Sequence, residues 1–338
     1  MALHPTLTRV LLGLGLLATL LWGEPSSAAV TWADDFSSNP ADHGWSVWGD
    51  GSFYQWDAHG GNLAVTWDSR QTNTYLVHPL GTVLTTNDDF TLGFDLRLSD
   101  IAIGISTNHS TFEIALGLIN RRDAFQTNFF RGAGQVATGP RNLVEFDYFP
   151  AAGAITATFS PTVVSTNNRI QFSDNHPLTF PLNLWLRFTL AYTASNQTLR
   201  TTISTNGVAF GKPPGNAIAD LVLLHDFRVN AFAVCSYSEA GQQRGYGGSV
   251  LAHGSLDNLY VTMPEPPVGR LAEQFAHGAS QVQFASQNHW FYTLERNTDL
   301  LRWADASPPL PGTGAVLVLP DTNGVAGSAF HRVRATRE

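Results

Sequence analysis

Polar and apolar residues alternate with period two along most of this chain. In "FTLGFDLRL" (90–98), Phe90, Leu92, Phe94, Leu96 and Leu98 share one face, while Asp95 and Arg97 take the other. "TFEIALGLI" (111–119) places Phe112, Ile114, Leu116 and Leu118 inward and Glu113 outward. "LVEFDYF" (143–149) buries Val144, Phe146 and Tyr148 and turns Glu145 and Asp147 out. "WLRFTLAYT" (185–193) buries Leu186, Phe188, Leu190 and Tyr192. Each is the pattern of a half-buried strand in an antiparallel sheet. Turn signals such as Gly60-Gly61, Asn87-Asp88, Ser195-Asn196 and Asn206-Gly207 punctuate the strands. Many short strands spaced this way predict an all-β sandwich or jelly roll. "GNAIADLVLLHDF" (215–227) is the best helix candidate, and no long helix is expected.

Three prolines in "MPEPPVGR" (263–270) cannot sit in a central strand and predict a stiff linker. After it, "WFYTLERNTDLLRW", "GAVLVLP" and "AFHRVRA" alternate again, which predicts a small β-sandwich over 271–338. Ahead of the sandwich, Arg9, the apolar run "VLLGLGLLATLLW" and the small residues "SSAA" read as a signal peptide over 1–29, cleaved near Ala29. The organisation expected is therefore a signal peptide (1–29), a sandwich (30–263), a linker (264–270) and a C-terminal module (271–338). The product would be secreted, periplasmic or on the cell surface, with no membrane span.

Composition narrows the function. Of 338 residues, 43% are hydrophobic, enough for a substantial core, and only 14% are charged. The formal charge is −8, all but one of the 19 basic residues are arginine, and no basic run suggests nucleic-acid binding. The "RVRATR" tail (332–337) reads as a frayed terminus. Cys235, the only cysteine, lies in the apolar "NAFAVCSYS", which reads as a small buried hydrophobe. Asn108 and Asn196 match glycosylation acceptors. No HExxH, phosphate loop or G-x-S-x-G motif is present.

"FTLGFDLRL", "LWLRFTLAYTASNQTLRTTISTNGVAF" (184–210) and "GSLDNLYVTMP" (254–264) together resemble the concanavalin A-like lectin/glucanase superfamily over about residues 30–263. The second stretch resembles that superfamily's hairpin ending at Asn-Gly. The third resembles its closing strand, which returns beside the N-terminal "TWADDF" (31–36). The tail resembles small β modules at the ends of exported bacterial proteins.

The resemblance implies an antiparallel jelly roll and gives "RNLVEFDYFP" (141–150) a meaning. Glucanases of this fold carry Glu-x-Asp-x-Glu or Glu-x-Asp-x-x-Glu, with the first Glu as nucleophile and the last as acid/base. Glu145 and Asp147 match the first two positions, but Phe149 and Pro150 occupy the places for the acid. A retaining glycosidase needs two carboxyls about 5–5.5 Å apart, so a second group would have to come from Glu113 or Asp95. Two other readings stand beside hydrolysis. Glu145, Asp147, Phe149, Glu113, Arg131, Trp56 and Trp67 would line a sugar-binding face, with Trp48, Tyr54, Tyr237 and Tyr246 as further loop or edge aromatics. Alternatively, Asp95, Arg97, Glu113, Arg131, Glu145 and Asp147 would form a solvated cross-strand charge network. The resemblance also implies a structural calcium ion held by Asp257, Asp35 and the carbonyl of Gly61 or Gly60. The leading expectation is an exported, non-catalytic lectin-like protein binding polysaccharide or cell-surface glycan. The alternatives are a β-glucanase-like hydrolase, with Glu145 and Asp147 catalytic, and a structural or adhesive surface protein.

Overall fold

The computed structural model describes residues 29–104, 113–129, 131, 141–150, 157–172, 176–211, 216–218, 226–238, 249–276, 279–298, 302–322 and 329–337. Most of the expected signal peptide, the Asn108 acceptor, Phe112 and Tyr246 lie outside them. Within them the chain forms the all-β, antiparallel jelly-roll sandwich that the pattern and the resemblance imply.

Strands are numbered in chain order. One sheet of nine strands runs β14 (Val208–Ala209), β13 (Thr198–Thr205), β12 (Leu186–Thr193), β6 (Phe90–Ile103), β17 (Val250–Pro264), β4 (Asn62–Asp68) and β3 (Tyr54–Asp57). In the same sheet β1 (Ala29–Asp34) joins β17, and β15 (Asn216–Ile218) joins β13. The β1–β17 pairing runs from Ala29↔Pro264 to Asp34↔Leu259, so the closing strand does return beside "TWADDF". The β13–β14 turn needs left-handed backbone at Asn206 (φ 50°) and Gly207 (φ 76°), the pair best suited to a tight hairpin. The helix expected over 215–227 is not formed at 216–218, which pair as a strand edge with β13; 215 and 219–225 lie outside the described residues.

The opposing sheet has eight strands. It runs β10 (Ile170–Phe172), β9 (Thr158–Val164), β8 (Leu143–Phe149), β7 (Ile114–Ile119), β16 (Val229–Ser236), β5 (Thr74–Leu84) and β2 (Ser46–Trp48), with β11 (His176–Pro177) beside β9. Between the sheets Leu92, Phe94, Phe188 and Leu190 meet Leu116, Phe146, Phe159 and Val234 in one apolar core. Aromatic rings lock it, with Phe94 stacked on Phe188 at 5.1 Å and Phe146 tilted against Phe188 at 4.7 Å.

The chain beyond Pro264 builds separate sheets. β18 (Ala272–Ala276), β19 (Ala279–Ala285) and β23 (Val316–Pro320) form one. β20 (Phe291–Asn297), β21 (Ala304–Asp305), β22 (Leu310–Pro311) and β24 (Phe330–Thr336) form the other. Val282, Phe284, Trp290, Tyr292, Leu294 and Leu319 give them their own core. The tail is not frayed. Residues 330–336 pair with β20, and Arg337 donates from Nη1 and Nη2 to both oxygens of Asp88 on the sandwich, at 2.6 and 2.7 Å.

Candidate functional site

The two sheets treat their outer faces differently. On the nine-stranded sheet the outward residues of β6 and β12 are partly exposed, as alternation predicts. On the eight-stranded sheet every residue of β7 is buried, and so is β8 up to Tyr148. Glu145 and Asp147 do point away from the core, but they are 0% exposed. The expectation of a solvated carboxylate face is corrected here. The reason is a covering segment that starts with the helical turn α1 (Arg121–Ala124). It continues through Phe125, which stacks on Trp48, and Phe129 to Arg131, which bonds Glu145 and Asp147 from outside the sheet.

Arg131 is the centre of what this cover encloses. Its Nε donates to Glu145 Oε2 at 2.8 Å and its Nη2 to Asp147 Oδ2 at 2.8 Å, while Glu113 Oε1 lies 3.5 Å from Nε. Tyr237 donates its hydroxyl to the other oxygen of Glu145. All five side chains are buried. One guanidinium cannot neutralise three ionised carboxylates, and the protonation equilibria reflect this. Burial pushes Glu113 well above the usual carboxylate range, with Arg131 pulling against it and Asp147 and Glu145 adding to it. Burial likewise pushes Asp147 up to about 7, opposed by Arg131 and reinforced by Glu145. Burial works to lower the pKa of Arg131, but Asp147, Glu145 and Glu113 outweigh it and hold it well above its ordinary value.

Strand register sets the rest of the face. One row across the sheet reads Trp48, Tyr75, Cys235, Ala115, Asp147, Ser160; the next reads Ser46, Val77, Ala233, Gly117, Glu145, Thr162. Small residues thus form the middle of the floor, with carboxylates on one side and aromatics on the other. Trp48 stacks on Phe125 at 5.4 Å and 10°, and on Tyr75 at 5.3 Å and 27°. Tyr75 meets Tyr237 edge-on at 5.7 Å. Trp48 and Phe125 are half-buried and form the rim, whereas Tyr75, Phe129 and Tyr237 are enclosed. Burial pushes the Cys235 thiol far up, consistent with an inert small side chain.

Of the residues expected to bind ligand, the structure brings together Glu113, Arg131, Glu145 and Asp147. Phe149 is half-buried at the end of the same strand. Trp56 and Trp67 belong elsewhere, on β3 and β4 of the other sheet. Trp56 donates from Nε1 to the Phe36 carbonyl at 2.8 Å, and Trp67 is a core residue, 1% exposed. Tyr54 and Tyr237, expected at loops or edges, are also buried. Asp95 joins neither Glu113 nor Glu145: it sits on β6, where Arg187 Nη1 donates to it at 3.1 Å. Sequence reasoning missed Tyr75, Phe125 and Phe129. The register of β5 against β16 placed Tyr75 opposite Cys235, and no local periodicity marks the other two.

The expected calcium donors are drawn to one corner. The β17–β4 register ends at Leu256↔Leu63, one position from Asp257 and two from Gly61, and Asp35 follows the Asp34↔Leu259 pair. Burial raises the pKa of Asp257, and the nearby Asp95 and Asp35 carboxylates add to the rise. Two carboxylates and a carbonyl are the right donor type for a hard cation. Asp35 Oδ1 accepts from Ser37 N, the Ser37 side chain also hydrogen-bonds this carboxylate, and Asp257 Oδ1 accepts from Asn258 N. Among those residues no group of three or more His, Cys, Asp or Glu side chains could hold a metal ion.

Among the described residues no helix is long and apolar enough to cross a membrane. No protein-family model matches the chain. No curated protein matches it. Solved structures similar to it include peanut lectin, at 12% identity and a TM-score of 0.44, covering 71% of this chain and all of that one. A Lotus tetragonolobus seed lectin aligns at 10% identity and 0.45, covering 70% and 100%. The alginate lyase Aly36B aligns at 11% and 0.39, covering 70% and 96%. At these identities and TM-scores the likenesses carry no argument about ligand or reaction, and the sandwich rests on its own strand order.

Proposed function

We propose that this chain is an exported, non-catalytic carbohydrate-binding protein that takes a polysaccharide or cell-surface glycan at the rim of its eight-stranded sheet. The observation that carries the reading is the half-buried Trp48–Phe125 pair, stacked with nearly parallel planes at the rim and backed by Tyr75. Flat aromatic surface of this kind suits the apolar C–H face of a sugar ring, and preorganisation lowers the ordering cost of binding. The Arg131 cluster supports the rim from beneath by tying the covering segment to β8. Hydrolysis at Glu145 is disfavoured on two counts. A nucleophile needs an oxygen free to attack, and both oxygens of Glu145 are engaged, by Arg131 and by Tyr237. It is also fully buried. Calcium at Asp35, Asp257 and the Gly61 carbonyl, and export after cleavage near Ala29, belong to the same proposal.

The test is retention of the chain on a panel of immobilised polysaccharides, with reducing-sugar release assayed in parallel. Retention on one class, without sugar release, is expected. No retention on any member points instead to a structural or adhesive protein. Sugar release that disappears in a folded Glu145→Gln variant establishes the hydrolase alternative.

A further inference from the structure

A second site lies at the end of the sandwich, away from the Arg131 cluster. It is a cleft of about 620 Å³, within the range of small-ligand sites. Asn120, Arg122 and Asp123 at the α1 turn form one wall. Arg228 and Asn230, around the start of β16, form a second, and Arg337 from the C-terminal module closes it. Three arginines thus converge from distant parts of a chain whose formal charge is −8.

The guanidiniums are arranged rather than merely near one another. Asp88 grips Arg337, which also lies over the Trp290 ring at 4.1 Å, and the buried Arg337 Nε has no hydrogen-bond partner. Arg228 Nε donates to Asp226 at 3.2 Å. Asp88 takes both Nη groups of Arg337, so that side chain walls the cleft without offering its fork, while Asp226 fixes Arg228 in place. Asp123, the acid in the lining, is engaged by Asn142 Nδ2. Arg122 is exposed and has no such carboxylate partner among the described residues. Asn230 accepts from Arg121 N through Oδ1, which leaves its amide Nδ2 as a neutral donor. The donors offered to a ligand are therefore the exposed Arg122 guanidinium and the Asn230 amide, with the Arg228 and Arg337 guanidiniums held beside them, a set that suits a planar or tetrahedral oxyanion flanked by hydroxyls.

We propose that this cleft binds the anionic group of an acidic sugar chain, a carboxylate or a sulfate. The proposal goes beyond the rim reading and uses different residues. The test titrates the full chain with polygalacturonate, dextran sulfate and neutral dextran. Binding of at least one polyanion but not of dextran is expected, weakening as salt rises. Whichever polyanion binds identifies the group as carboxylate or sulfate. Arg122→Ala should weaken binding at least tenfold, while Arg200→Ala, an exposed arginine on β13, should leave it unchanged. Absence of binding to both polyanions, or equal losses in the two variants, overturns the proposal. Trp48→Ala separates the two sites. Loss there with Arg122→Ala unaffected places polyanion binding at the rim and overturns the cleft; the opposite pattern upholds the cleft, and the rim stands or falls on the polysaccharide panel.

Discussion

Replacing Arg131 by methionine removes the one described cation that touches Glu145, Asp147 and Glu113. The side chain's volume is largely kept, so the loss is chiefly electrostatic. Two carboxylates with no exposure would then lack a counter-charge. Breaking a buried ion pair from one side costs roughly 3–5 kcal/mol, a large fraction of the roughly 5–15 kcal/mol typical of a folded domain. Arg131→Met should therefore lower the urea midpoint of the sandwich markedly at pH 7.5. The pH dependence follows from the raised pKa values. Asp147 has a folded pKa of about 7 against an ordinary 3.8, and Glu113 is also raised. A carboxyl raised on folding contributes stability that is full below its unfolded pKa and is lost as pH rises through the folded value. Without Arg131 the folded pKa values rise further, so the deficit of the variant should shrink between pH 7.5 and pH 5. Urea unfolding followed by tryptophan fluorescence at both pH values measures this. Adding Glu145→Gln and Asp147→Asn to Arg131→Met should recover much of the loss at pH 7.5. A variant as stable as the parent, or a deficit equal at the two pH values, would refute the reasoning.

Two further outcomes follow from the same geometry. A Cβ at Gly117 would lie 2.3 Å from the Val144 carbonyl oxygen and 2.6 Å from Glu145 Cα, so Gly117→Ala should cost about 1–3 kcal/mol, read from the urea midpoint. Calcium should raise the melting temperature of the chain, EDTA should reverse the rise, and Asp257→Asn should abolish it; identical melting curves with and without calcium would remove the ion from the account.

The core-facing side of the fold was legible because alternation and burial agree. Leu92, Phe94 and Leu96, or Phe188 and Leu190, could face only inward. The return of "GSLDNLYVTMP" beside "TWADDF" came from the family resemblance, not from alternation, and the β1–β17 register shows it. What alternation cannot say is whether the other face meets water. Glu145 and Asp147 point away from the core in either case, and their burial depends on a segment from Arg121 to Arg131 that carries no periodic signal. Trp67 is a different case. In "NLAVTWD" (62–68) it shares a face with Leu63 and Val65, so the pattern already placed it in the core and its reading as a loop aromatic overlooked that. The arginine cleft was invisible for a third reason. Arg122, Arg228 and Arg337 are far apart in sequence, and only the closure of the sheet and the docking of the tail on Asp88 bring them together.

The most direct test of glycan binding at the aromatic rim is a binding isotherm for the polysaccharide retained from the panel, measured with the parent chain and with Trp48→Ala. The account predicts saturable binding by the parent and at least a tenfold loss in the variant, with Leu182→Ala, an exposed apolar residue elsewhere, unchanged. Equal affinities for parent and Trp48→Ala would contradict it.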